Sequence, residues 1–214
     1  MQIKIDLKIL ILVLIFLLTS QFRIYILLMI FACLHELGHL IIGLILGFKP
    51  TIFEIKPIGF SLSFNNPVKD YNKKILKSNV LELKKIIIYL CGPILNFLFA
   101  IIFLYINIEE NLKIELIYIN LILAIVNIIP IYPLDGGRIL KSIICIFCGL
   151  KESYICIERI SSITLILLLY VSSLLILYVK NWGLLFIILY LIYIKIRESK
   201  RIVRKLKLYD MIEQ

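Results

Sequence analysis

The sequence predicts an all-α polytopic membrane protein, with six transmembrane helices and a small β-sheet at the cytoplasmic membrane surface. Three observations carry this. Hydrophobic residues make up 62% of the 214 and the mean hydropathy is +1.03, far from a soluble domain. The apolar residues gather into runs at 9–22, 24–47, 86–106, 114–133, 160–179 and 182–194, each of which reads as a span. With six spans, only Arg23, Lys113 and Lys180 of the 24 Lys and Arg fall on one side, an asymmetry that sets both termini in the cytoplasm.

Ahead of the first run, residues 2–9 alternate polar and apolar side chains, which is a strand pattern. Residues 52–64 read as two further strands about Pro57 and Gly59, on the same cytoplasmic side. The predicted sheet has a free edge on which an extended peptide can dock; a sheet that only caps the spans is the alternative. The first and last apolar runs are short for a hydrocarbon core of ~30 Å. Charge retains them, because dropping either moves a basic cluster to the outside. No cleavable signal peptide is expected: Thr19-Ser20-Gln21 leads at once into the second run, with no small-residue cleavage site.

The second run holds both histidines of the chain, in His35-Glu36-Leu37-Gly38-His39. Residues four apart share a helix face, so two imidazoles can ligate one metal, and Glu36 beside them can activate a water there. An ionisable group at mid-bilayer costs about 2.5–3.5 kcal/mol on insertion scales, whereas structural zinc sites contribute roughly 10–16 kcal/mol in small peptides. One zinc ion per chain accounts for groups that an apolar helix does not otherwise carry.

Catalytic zinc takes three protein ligands. The fourth run closes on Asn127-Ile-Ile-Pro130-Ile-Tyr-Pro133-Leu-Asp135-Gly136-Gly137-Arg138. Pro130 and Pro133 break the helix, Gly136 and Gly137 let the backbone turn, and Asp135 sits at the turn. Taken alone this is a helix end; paired with the histidines on the same side, Asp135 becomes the third ligand. His39 precedes Gly47 by eight residues, about 12 Å of helix, so both groups reach one point in the inner leaflet. In the third run, Cys91-Gly92-Pro93-Ile94-Leu95-Asn96 places a close-packing glycine and an amide in lipid, for helix packing or for lining the site. The five cysteines read as buried small hydrophobes, since Cys145 and Cys148 have no second pair.

One membrane domain, residues 1–196 with its core in 1–140, accounts for the chain, followed by a basic cytoplasmic tail at 197–214. The net charge of +10 is mostly a topology signal. The tail suits anionic lipid, and no nucleic-acid partner is expected.

The motifs HELGH, GP-x-x-N and N-x-x-P-x-x-P-L-D-G-G-R, in this order, resemble the site-2 protease family of intramembrane zinc metalloproteases; the likeness covers residues 2–140. The resemblance implies His35, His39 and Asp135 as zinc ligands and Glu36 as catalytic acid/base. It also implies Asn127 beside a substrate channel, to which Asn96, Pro130, Pro133 and Gly136 are expected to contribute. The loop between the second and third spans is too short for a PDZ domain. That loop and the stretch 53–64 most resemble the sporulation branch, stage IV sporulation protein FB, though this chain is too short for that branch's CBS domain. This implies a membrane-associated sigma-factor precursor as substrate, membrane-bound inhibitory partners, and a bacterial cell membrane or the membrane around the forespore as location. Cleavage of an anti-sigma factor is an alternative within the family. A non-catalytic zinc-binding protein or permease is an alternative outside it, weakened because no further titratable residues line the other half of the spans.

Overall fold

In the computed structural model, residues 2–7, 9–18, 22–56, 59–65, 76–179 and 183–212 are described. Lys8, Thr19 to Gln21, Pro57, Lys69, Lys73, Lys74, Lys180 and Trp182, on which parts of the expectations rest, lie outside them. The elements are β1 (Gln2–Ile5), α1 (Ile9–Leu18), α2 (Phe22–Ile45), β2 (Lys49–Lys56), β3 (Gly59–Asn65), α3 (Leu76–Tyr105), α4 (Glu110–Ile128), α5 (Asp135–Cys148), α6 (Leu150–Val179) and α7 (Gly183–Ile212).

The protein is mostly helical, and among the described residues four helices are long and apolar enough to cross a membrane: Phe22–Ile45, Asn79–Tyr105, Glu110–Ile128 and Leu150–Ser173. The expectation of six is met only for these four. With 10 residues, α1 extends only about 15 Å, and the apolar part of α7 ends where Lys195 begins a basic run. The 30-residue α7 passes through the expected boundary at residue 196 as one helix, and Ile202, in the basic stretch, is buried.

Two compact units make up the chain, one of Met1–Lys77 and Ile87–Asn127, the other of Ser78–Ile86 and Ile128–Gln214. In the first, Phe31 of α2 packs with Leu116 and Ile119 of α4, and the Phe99 and Phe103 rings of α3 each meet it edge-on at 5.7 Å. An ion pair of 3.2 Å joins Arg23 and Glu115.

The three strands form one sheet in the order β1-β2-β3, with β1 parallel and β3 antiparallel to β2. Its placement follows from the end of α2. Gly47 takes φ +85°, its N–H donates to the Leu44 carbonyl, and the Phe48 N–H donates to the Gly43 carbonyl. This glycine-dependent cap satisfies the last carbonyls and reverses the chain. The returning strand β3 then lies along α2. Gly59 comes to the Ala32 methyl, and Phe64 lies on Gly43, where an added Cβ would meet the ring at 2.6 Å. Eleven helical residues and five strand residues both cover about 16 Å, so helix and strand advance together. The sheet expected at the membrane surface therefore places β3 beside the histidine stretch of α2, not past its end. The small residues Ala32 and Gly43 leave the room.

In the second unit the sequence reading missed an element. The fourth run does not continue to Pro133. Helix α4 stops at Ile128, two residues before Pro130, because proline lacks the donor and disfavours helix in the residue before it. Asp135 opens the separate helix α5, which ends at Gly149 with φ +86°. Helix α6 begins ten residues before the predicted run, at Leu150. It joins α7 through Lys195, whose ammonium reaches the Glu158 carboxylate at 3.2 Å and the Ser162 hydroxyl at 2.7 Å.

Candidate metal centre

The buried face of α2 comprises Tyr25, Phe31, Ala32, His35, Gly38, His39 and Gly43, a spacing of three to four that one helical face requires. His35 and His39 are 4% and 3% exposed, so neither imidazole can rely on water. His39 Nδ1 lies 2.7 Å from the Ile88 carbonyl oxygen of α3. A carbonyl only accepts, so Nδ1 carries the proton and Nε2 presents its lone pair. This is the outer hydrogen bond that orients a metal-binding histidine.

The two Nε2 atoms stand 3.2 Å apart. Two nitrogens bound to one tetrahedral zinc at 2.0–2.1 Å are about 3.3 Å apart, so the pair fits that ion without rearrangement. Gly92 of α3 faces them. A Cβ built there would fall 2.5 Å from both Nε2 atoms, so any other residue would occupy the place where the lone pairs converge. At Gly38 an added Cβ would make only ordinary contact with α3, 3.4 Å from Leu95 Cδ1 and 3.5 Å from the Cys91 carbonyl oxygen. Glu36 is half-buried.

Asp135 is 5% exposed and occupies the first turn of α5. Its Oδ1 is 4.0 Å from Nη1 of Arg138. His35, His39 and Asp135 are all buried. Two imidazoles and a carboxylate are a donor set that zinc accepts.

The remaining expected residues sort differently. Gly136 and Gly137 are ordinary helical residues of α5, not the backbone turn expected of them. They lack a Cβ for packing reasons: at Gly136 it would overlap the Ile128 carbonyl, and at Gly137 it would come 2.5 Å from the Tyr132 nitrogen. Pro130 and Pro133 flank the loop over those glycines, with Tyr132–Pro133 in cis. Asn127 donates from Nδ2 to the Leu123 carbonyl at 3.0 Å, one turn back along its own helix. Asn96 is fully buried one turn beyond Gly92, on the same side of α3. The five cysteines are free thiols. Burial, then the Glu82 carboxylate, pushes the Cys145 thiol up, against the pull of Lys141 and Lys85, which keeps it protonated and unlike a metal ligand. The Ile88 carbonyl has no sequence signal, since it acts through backbone alone.

Residues 107–171, which include Asp135, match peptidase family M50. A zinc metalloprotease of Methanocaldococcus jannaschii is 32% identical over 154 residues, 68% of this chain. The chain is thus similar to peptidase family M50. It spans 42% of the length of that curated relative. Among solved structures, a site-2 protease from Methanocaldococcus jannaschii superposes with a TM-score of 0.67 at 26% identity, covering 92% of this chain and 90% of that one. The similarity to zinc metalloproteases and the donor set of His35, His39 and Asp135 agree on the metal.

Proposed function

We propose that this chain is an intramembrane zinc metalloprotease that hydrolyses a peptide bond of a membrane-spanning or membrane-associated protein. The observation that carries this is the convergence of two buried imidazole nitrogens, 3.2 Å apart, on the hollow left by Gly92. His35, His39 and Asp135 hold the ion. Zinc bound there supplies Lewis acidity, polarising a carbonyl and acidifying a water to a pKa of about 7. Glu36, next to His35 in α2, accepts the proton of the attacking water and passes it to the leaving amine. The test is metal removal: a chelator strips zinc from detergent-solubilised protein, cleavage of a co-expressed substrate stops, and one equivalent of zinc restores it. Full cleavage by metal-free protein would sink the assignment.

A peptide bond inside a helix has its carbonyl already bonded, so the substrate must unwind before hydrolysis. Among the described residues strand β3 pairs with β2 on one edge only, and it runs beside the histidine stretch. An unwound substrate strand added to its other edge would be held extended by main-chain hydrogen bonds, with Asn127, Asn96, Pro130, Pro133 and Gly136 lining its path. Phe60→Pro removes one strand donor. Cleavage should fall several-fold with zinc content and membrane insertion normal, and glycine placed near the cut site of the substrate should partly restore it. Normal cleavage by Phe60→Pro would leave β3 with a packing role alone.

The finer reading is a six-span protein with both termini cytoplasmic, the basic end of α7 resting on anionic lipid. Its substrate is a sporulation sigma-factor precursor, and membrane-bound partners hold it inactive. Charge asymmetry supports the topology; the short segment between α2 and α3 supports the branch. Scoring cleavage of co-expressed sigma-factor and anti-sigma precursors separates the two substrate classes.

A further inference from the structure

Asp135 stands at the start of α5, directly after the loop 129–134, so the position of that loop sets the position of its carboxylate. Buried backbone donors must find acceptors, and the loop's donors can be followed one by one. Pro130 and Pro133 have none. Ile131 donates to the Ile129 carbonyl at 2.7 Å and Leu134 to the Ile131 carbonyl at 2.8 Å, both inside the loop. The N–H of Tyr132 donates at 2.9 Å to Oγ of Ser161 in α6. Ser161 is 1% exposed, so water does not compete for the bond. Gly136 and Gly137 clear the space in which the loop lies against α5. A side-chain hydroxyl of α6 thus tethers the loop at Tyr132, three residues before Asp135.

We propose that Ser161 is a positioning residue for the metal centre: through the Tyr132 N–H it fixes the loop that aims Asp135. This rests on the reading of Asp135 as a ligand and goes beyond it, since Ser161 lies in α6, outside the ligand set. Partners one shell out from a metal ligand typically change affinity tenfold to a hundredfold when removed.

The test uses the full chain purified in detergent, loaded with zinc or with cobalt as a spectroscopic probe. Ser161→Ala is compared with Ser161→Thr, which keeps the hydroxyl, and with Ser162→Ala, whose hydroxyl serves Lys195 instead. Ser161→Ala should release zinc to a chelator tenfold to a hundredfold faster and alter the cobalt absorption. Ser161→Thr and Ser162→Ala should both hold the metal as the wild type does. Should the alanine variant fail to accumulate, Ser161→Cys, similar in size but a weaker acceptor, carries the same expectation of faster release. Wild-type release and an unchanged cobalt spectrum in the Ser161 variants would overturn the proposal, as would equal release from Ser161→Ala and Ser162→Ala. A wild-type chain that binds neither metal would instead overturn the metal reading beneath it.

Discussion

Glu36→Gln is expected to abolish peptide hydrolysis while leaving the zinc in place. Glutamine matches the size of glutamate and keeps an oxygen, so α2 and the His35 and His39 rings on it are undisturbed. What is lost is the carboxylate that takes up the proton of the attacking water. General acid–base groups contribute about 10²–10⁴-fold, and because the same group must hand the proton to the leaving amine, the upper part of that range applies. The measurement pairs metal analysis of the purified variant with cleavage of a co-expressed substrate. One zinc per chain with cleavage lost is the expected result. Retained cleavage would refute the protease assignment. An ion flux that survives the substitution would favour a permease, whose ligands need no proton acceptor.

How much of this was legible beforehand depends on whether a residue acts through its type or its surroundings. His35, Glu36 and His39 are legible because their chemistry is expensive in lipid and their spacing has one geometric meaning. Asp135 is legible as a carboxylate beside a broken helix, yet its setting is not. Gly136 and Gly137 look like a backbone turn in sequence but are helical, needed for what a Cβ would hit. Helix α5 escapes because its mixed Asp-Gly-Gly-Arg opening interrupts the hydropathy on which the span search depends. Strand β3 shows its alternation clearly. Where it lies follows from Gly47, Ala32 and Gly43, three small residues whose importance appears only once the strand is seen beside them. Ser161 has no signal at all, being one of several hydroxyls in α6 and having a backbone N–H as its partner.

Asp135→Ala should lose the metal as well as the activity, and this separates its two possible roles. An aspartate in the first turn of a helix is stabilising through the helix dipole, by typically 0.3–1 kcal/mol, so alanine weakens α5 slightly whatever else the carboxylate does. That effect alone would lower the melting temperature a little in metal-free protein and leave zinc binding intact. If Asp135 is the third ligand, only two imidazoles remain, fewer than a catalytic zinc site uses. Zinc content should then fall to about a tenth of the wild-type value or less after dialysis, since losing a first-shell ligand must cost at least the tenfold to hundredfold of an outer partner. Asp135→Asn refines the result: it keeps the shape of the side chain but removes its charge, so it should retain the fold of α5 and still bind zinc poorly. A full zinc complement in Asp135→Ala would assign the carboxylate to the end of α5 alone. The 3.2 Å pair of imidazole nitrogens would then need its third donor from another side chain.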